Sequence, residues 1–550
     1  MIIVPSIKRI AVRAVSAVMA AVTLCTSVAY ADEPYSGYNY DWWGDPVPSQ
    51  NGYVVDKVVS GKDIGCGELT QPSDMFFSPK DELYIVDTNF AGSIDTSAQK
   101  GRIVVTDIDF NLLYSIEYLD FSDVGDWLAT KDEELESGSL DSARYAKETN
   151  IYFKGPTGVF VDDDDIIYVA DNENERVISF TAAVDDNGYG YGKVLSVYTR
   201  PDSSVYDSST TYNPSKVLVD AAKNVYVCIK SITSGAVVFS KEGEFSGYYG
   251  ANRVEQTSEV ILNAFWKLIF TREQIKRMKK NVPVEISNFD IDSDNFVYTV
   301  TESKSASTDV LKKMNSAGTN IFTNLGYSDY DFGDPLTKYY RGQTYSSQIT
   351  DVDIGPNGEI NLLDLKTGRV FQYDDECNLL FIFGGIGSQK GTFTTVNSVE
   401  SVGTNVYVLD GRKCSITVFK QTEFGSIVHE AIELFNKGKY EEAREPWNEV
   451  LRRDSNYWLA YIGLGNAYLN EGNYEEAMDY FYYNSKTGYN DAFKGWRMDF
   501  IRDNFTLFAA IIIVALAAIY VIFSVRNRRR AKKRAEQDAI FKAQQKKEEE

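Results

Sequence analysis

Between residues 53 and 420 the chain alternates short apolar runs, rich in β-branched and aromatic residues, with acidic or polar breaks. That spacing predicts β-strands joined by tight turns. One unit is clearest: residues 156–162 (PTGVFVD), 166–171 (IIYVAD) and 174–180 (NERVISF). The cadence recurs from residues 72, 214, 287 and 350, with a shortened sixth copy from residue 396. Each copy adds a further run, such as residues 195–198 (LSVY) or 379–383 (LLFIF). Six four-stranded units predict a mainly β fold, a six-bladed β-propeller over residues 53–420. The strand at residues 53–59, ahead of the first copy, is expected to close the ring by joining the last blade, which removes two exposed sheet edges.

Other stretches have different periods. In residues 257–280, Ile261, Ala264, Phe265 and Leu268 share one helical face, and Thr271 with Gln274 has the form of a capping box. Lys267, Arg272, Lys276, Arg277, Lys279 and Lys280 make this insertion the basic cluster of an otherwise acidic region, either a docking surface for an anionic partner or lipid headgroups, or a solvated helix face. Residues 162–165 are four aspartates without the glycine or the alternating ligands of a calcium loop, and are expected to form an exposed turn. Residues 505–525 carry no charge, and at about 1.5 Å per residue they match a hydrocarbon core roughly 30 Å thick. Seven bases follow within residues 526–534, which predicts a cytoplasmic C-terminal tail, residues 526–550. Residues 1–31 have a basic start (Lys8, Arg9, Arg13), a short apolar core and a small-x-small site at Ala29–Ala31, the pattern of a signal peptide. Residues 32–52 are then a linker.

The residues of the second copy, Pro156, Gly158, Val161, Tyr168, Val169, Asp171, Asn174 and Arg176, resemble the NHL repeat family. The resemblance implies that Asp171, Asn174 and Arg176 brace a turn; the fourth copy departs from it, with Thr301 where the family has Asp. Gly438-Lys439-Tyr440-Glu441-Glu442-Ala443 recurs 34 residues later as Gly472 to Ala477, and this period, with Leu464, Gly465, Tyr468 and Phe481, resembles the tetratricopeptide repeat. Two such repeats and a capping helix are expected over residues 426–503, a rigid spacer with His429 in a structural role.

Charge and composition narrow the chemistry. The net charge is −23, and the two cationic ends carry +3 and +5, so residues 32–525 hold −31. That excludes a nucleic-acid binder. One histidine in 550 residues leaves no imidazole-rich zinc site and no Ser-His-Asp triad away from His429. Cys66, Cys228, Cys377 and Cys414 are too scattered for a metal motif, and their pairing cannot be read from spacing.

Aligning the first strand of each copy puts Asp74, Gly158, Lys216, Asn288, Asp351 and Ser398 at equivalent positions, a ring near one mouth of the channel. Asp74, Lys216, Asn288 and Asp351 are the candidate binding residues for a small polar ligand. The assembled arrangement resembles bacterial surface proteins with gluconolactonase-like propellers, which implies an extracellular domain on a single span, partnered by a membrane protein such as a sugar-type ABC transporter. The reading preferred is a non-catalytic binding or scaffold protein without a cofactor. Its alternatives are a calcium-dependent lactonase, with Asp74, Asn288 and Asp351 as oxygen ligands, and a glycan-binding adhesin using tyrosines such as Tyr189 and Tyr191.

Overall fold

The computed structural model describes residues 33–40, 45–91, 99–185, 189–206, 210–252, 284–302, 310–322, 332–334, 339–340, 343–344 and 347–548. The expected signal peptide (1–31) lies outside these residues, and so does the basic insertion (257–280). The chain divides into two compact units, residues 1–429 and 430–550.

The first unit is built from six consecutive antiparallel meanders. Their first strands are Pro72–Phe77, Pro156–Val161, Pro214–Val219, Asn288–Ile291, Ile349–Ile354 and Val396–Val402. Each of these strands stands beside the next, and the sixth stands beside the first, which makes the domain propeller-like. The strand Tyr53–Ser60 pairs antiparallel with Ser415–Gln421 and supplies the sixth meander's fourth strand. Among the described residues the fourth meander has three strands.

The turns explain why these residues form hairpins. Asp162 Oδ1 accepts the N–H groups of Asp164 and Ile166, each at 2.9 Å. Asp220 and Asp292 close the equivalent turns of the next two meanders in the same way. The carboxylate stands in for the missing backbone acceptors. Asp165, Lys223 and Asn295 then take up the left-handed conformation, with φ of 59°, 65° and 64°. The run 162–165 is thus a hairpin turn, tied by Lys223 to Asp162 and Asp164.

A second device holds the first, second and fourth meanders to the chain that precedes each of them. Arg176 and Asp171 are fully buried, 2.9 Å apart, and Arg176 also donates to the carbonyls of Glu148 and Asn150. Asn174 completes the set by donating to Asp171 at 2.8 Å. The first meander repeats it with Asp87 and Arg102. In the fourth, Thr301 replaces the acid and Lys312 the arginine; Asn252 bridges them, donating to Thr301 at 2.8 Å and accepting from Lys312 at 2.5 Å.

Three features depart from the alternation pattern. The last strands of the first two meanders, Leu112–Asp120 and Gly190–Tyr198, pair in parallel and fuse them into one eight-stranded sheet. Two helices, Gly125–Glu136 and Ser142–Glu148, fill the connection between those meanders. The segment 32–52, expected as a linker, carries the small hairpin Tyr38–Tyr40 and Pro46–Pro48; both tyrosine hydroxyls donate to Asp334, and Tyr40 is buried in the core of the fifth meander.

The second unit contains the helices Tyr440–Arg453, Trp458–Glu471, Tyr474–Phe481 and Lys486–Asp503. Small residues let them approach closely: a Cβ on Gly463 would fall 2.4 Å from Trp447 Nε1, and one on Gly465 2.5 Å from the Phe481 ring. The helix Phe505–Glu548 follows and is long and apolar enough to cross a membrane, with a window of mean hydropathy 2.9. The basic tail continues it.

Candidate functional site

Five of the six first strands carry a β-bulge at the same place, and the residue after it is Asp74, Gly158, Lys216, Asp351 or Ser398. A bulge re-aims the side chain that follows it. Asn288 reaches the equivalent position without one.

Side chains at these positions pair with one another. Lys216 forms an ion pair with Asp74 by reaching past Gly158, where a Cβ would come within 3.3 Å of its Cδ and 2.9 Å of its Cα. Asp74 also accepts the Val159 N–H at 3.0 Å. Asn288 donates to Asp351, which accepts the N–H groups of Val352 at 3.0 Å and Val399 at 2.7 Å. Burial lifts the Asp351 carboxyl to about 6 against the pull of Lys216. Burial works against the charge of Lys216, but Asp74 and then Asp351 outweigh it, and its pKa lies above the ordinary lysine value. The lactonase alternative would need Asp74, Asn288 and Asp351 to converge on one ion. The structure instead pairs Asp74 with Lys216 and Asn288 with Asp351, and among the described residues no three His, Cys, Asp or Glu side chains are placed to hold a metal.

A second layer lies two residues further along the same strands, on the same face. It consists of Phe76, Phe160, Leu218, Asp290, Asp353 and Glu400. Phe76 and Phe160 are in ring contact at 4.8 Å. Three carboxyls share the other half, and no lysine or arginine pairs with them among the described ion pairs. Asp290 accepts the Ile354 N–H at 2.7 Å, Asp353 accepts both the N–H (3.1 Å) and the hydroxyl (2.6 Å) of Ser401, and Glu400 accepts the Phe77 N–H at 3.3 Å. Burial raises all three: Asp353 stands at about 7, with repulsion from Asp351 adding to it, and Asp290 and Glu400 lie well above the carboxylate range, pushed further by Asp353. Asp290 and Glu400 keep some accessible surface because they face the channel, although the surrounding protein leaves little bulk water to stabilise their charge.

These carboxyls were missed in the sequence, yet the signal was there. Asn288-Phe289-Asp290, Asp351-Val352-Asp353 and Ser398-Val399-Glu400 repeat the same polar-apolar-polar step in three successive copies.

Past the second layer the channel opens into a cavity of about 600 Å³, lined by the first-hairpin turns of all six meanders. Its wall carries Asp81, Asp162, Asp163, Asp220, Asp290 and Asp292 against Lys223, and Phe76 and Phe160 reach it from the second layer. Such a mouth concentrates cations.

Asp353 is also the inner end of a polar chain through the fifth meander. Asn361 donates to Asp353 at 2.8 Å, and Gln372 donates to Asn361 at 3.0 Å and to the Tyr53 hydroxyl at 3.0 Å. Gln372 Oε1 is left to accept from His429 Nε2 at 2.9 Å, and Gln421 donates to His429 Nδ1 at 2.8 Å. This assigns His429 the neutral Nε2–H tautomer, and burial, partly opposed by Glu359, holds its pKa below the ordinary value. The tyrosines proposed for glycans lie elsewhere: Tyr189 is exposed, and Tyr191 stacks on Tyr118 at 5.4 Å. Cys66, Cys228, Cys377 and Cys414 are free thiols.

No protein family matches this chain, and no curated protein matches it. Among solved structures it is similar to virginiamycin B lyase from Staphylococcus aureus, at 8% identity over 65% of this chain and 97% of that one, with a TM-score of 0.33. A putative gluconolactonase gives 8% identity, 70% and 98% coverage and a TM-score of 0.35. The PQQ-bound aldose sugar dehydrogenase of Streptomyces coelicolor gives 9%, 68%, 99% and 0.36. Likenesses this slight carry no argument about what the chain does. The resemblances to NHL and tetratricopeptide repeats rest on the residues that suggest them.

Proposed function

We propose that the chain is a membrane-anchored, extracytoplasmic binding protein whose six-bladed NHL-type propeller takes a small polar ligand bearing a positive charge. The cavity at the turn end of the channel carries this reading: its volume suits a small molecule, six acidic side chains line its wall, of which Asp162 pairs with Lys223 and Asp292 with Lys313, and two phenylalanine rings offer an apolar seat. The site residues are then Asp290, Asp292, Asp162 and Asp220, with Asp74, Lys216, Asn288 and Asp351 as the paired layer behind them. The tetratricopeptide pair serves as the spacer, and a membrane partner of the ABC-transporter class receives or supplies the ligand. Titration calorimetry of the full chain in lipid nanodiscs, with a diamine and an amino sugar as probes, tests the reading. Binding that weakens at least tenfold in Asp290→Asn/Asp292→Asn supports it; unchanged binding, or none for either probe, overturns it.

A hydrolytic second reading draws on one observation. An Asp353 carboxyl near pH 7 beside two further raised carboxyls suits general acid–base work. Lactone turnover lost in Asp353→Asn would favour it over simple binding.

A further inference from the structure

The helix Lys486–Asp503 packs on its neighbours through one face and leaves an apolar one uncovered. The packed face is small: a Cβ on Gly488 would fall 2.7 Å from Phe481, one on Gly495 2.4 Å from Tyr474, and Ala492 is fully buried. The other face carries Phe493, Trp496 and Phe500, spaced i, i+3, i+7. Phe493 and Phe500 are 43% and 47% exposed, unusual for three large aromatics on one short surface. The rings form a ladder, Phe493 on Trp496 at 5.8 Å and Trp496 on Phe500 at 5.5 Å. The ladder does not end with the helix. Phe500 meets Phe508 at 6.1 Å, and Phe508 belongs to the first turn of the apolar helix.

We infer that this aromatic ladder is a membrane-interface foot, seated in the headgroup layer of the outer leaflet. The inference rests on residues 505–525 spanning the bilayer. Five residues at about 1.5 Å each put Phe500 roughly 8 Å beyond Phe505, inside a headgroup layer about 5–8 Å deep. Trp496 and Phe493 reach the same layer when the helix leans onto the surface. Asn504, with φ −102° and ψ 19°, interrupts the helical geometry there and allows the lean. Lys494 and Arg497, both exposed, flank the ladder with positive charge suited to lipid phosphates. Tryptophan and its aromatic neighbours favour this boundary because a flat apolar ring and a polar edge are both satisfied there. Trp496 Nε1 already uses its edge, donating to Glu475 at 3.0 Å.

The test reconstitutes the full chain in phosphatidylcholine–phosphatidylglycerol vesicles and reads tryptophan quenching by lipids brominated near the glycerol or deep in the chain. Wild type is compared with Trp496→Phe and with Trp127→Phe, and flotation is recorded for each. Shallow-bromine quenching is expected to fall at least twofold in Trp496→Phe and to be unchanged in Trp127→Phe. Phe493→Ser/Phe500→Ser should reduce the quenching of Trp496 by about half while the protein still floats. Vesicles that float with Trp496 unquenched by either lipid overturn the inference, whether water, a second copy or another protein covers the ladder, and crosslinking through Arg497→Cys separates those cases. A protein that fails to float sinks the spanning helix itself, and the foot with it.

Discussion

The channel holds two layers of polar groups on the same six strands, and they are treated in opposite ways. In the bulge layer, Asp74 has Lys216 and Asp351 has Asn288. Two residues along, Asp290, Asp353 and Glu400 have only N–H and O–H donors, and one another. In the bulge layer Lys216 supplies a cation that pairs with Asp74 and pulls against the burial of Asp351. The three carboxyls two residues along have no such cation, and burial favours their protonated forms, at a cost to stability when those protons leave. Under the proposed function the first layer holds the ring, and Asp290 of the second meets the ligand at the cavity wall. Open carboxyls beside a cavity persist where function offsets their cost.

The bulge layer is the place to break the comparison hardest. Lys216→Met leaves Asp74 buried against Gly158 and Val159 without its cation, which should cost about 3–5 kcal/mol of unfolding free energy. Denaturant midpoints measure this. Asp74→Asn combined with Lys216→Met should recover at least half of the loss. No recovery would mean that Lys216 packs rather than pairs.

Gly158→Ala attacks the same pair through space alone. The added Cβ would stand 2.7 Å from the Ser215 carbonyl and 2.9 Å from Lys216 Cα, both backbone atoms, so one strand must yield. A loss of about 1–3 kcal/mol is expected. A neutral outcome would show that neighbouring meanders slide more freely than the ion pair implies.

How much of this was legible in the sequence follows from what each feature depends on. The meanders were readable because each copy satisfies a local rule: apolar alternation, then an aspartate that closes its own turn. The Asp171, Asn174 and Arg176 set was readable through the NHL resemblance, whose motif falls within six residues. Its counterpart around Lys312 was not, since Asn252 comes from 60 residues away. The same limit hid the parallel pairing of Leu112–Asp120 with Gly190–Tyr198, which no single strand encodes. At the candidate site the first layer was found by aligning strands. The second was passed over because a carboxylate on a strand reads as solvent-facing until the ring shows that its face is interior.

The second layer makes a prediction of its own about pH. The Asp353 carboxyl moves from its ordinary 3.8 to about 7, so between those values the folded chain binds more protons than the unfolded one. Stability should therefore fall as pH rises from about 4 to about 7, by on the order of 1–2 kcal/mol from this group once its coupling to Asp290 and Glu400 is discounted. Asp374, in an outer turn, is raised to about 7 by burial and has the same sign, so the measurement that decides is the difference between variants. Asp351→Asn removes the charge that repels Asp353, and a second raised carboxyl with it, and should flatten the slope. An identical slope would mean that these two carboxyls do not share a field.

Ser401→Ala is the gentlest probe and separates the layers most cleanly. The hydroxyl donates to Asp353 at 2.6 Å, while the Ser401 N–H and Asn361 keep their own bonds to the same carboxyl. A donor stabilises the charged form of its acceptor more than the neutral one, so removing it should push Asp353 still higher. The cost should then depend on pH: about 1 kcal/mol near pH 8, where Asp353 is largely ionised, and less than half of that near pH 5, where it carries its proton. Denaturant melts at the two pH values compare these directly. Equal losses at both would mean that Asp353 keeps one charge state throughout, and the second layer would then be as settled as the first.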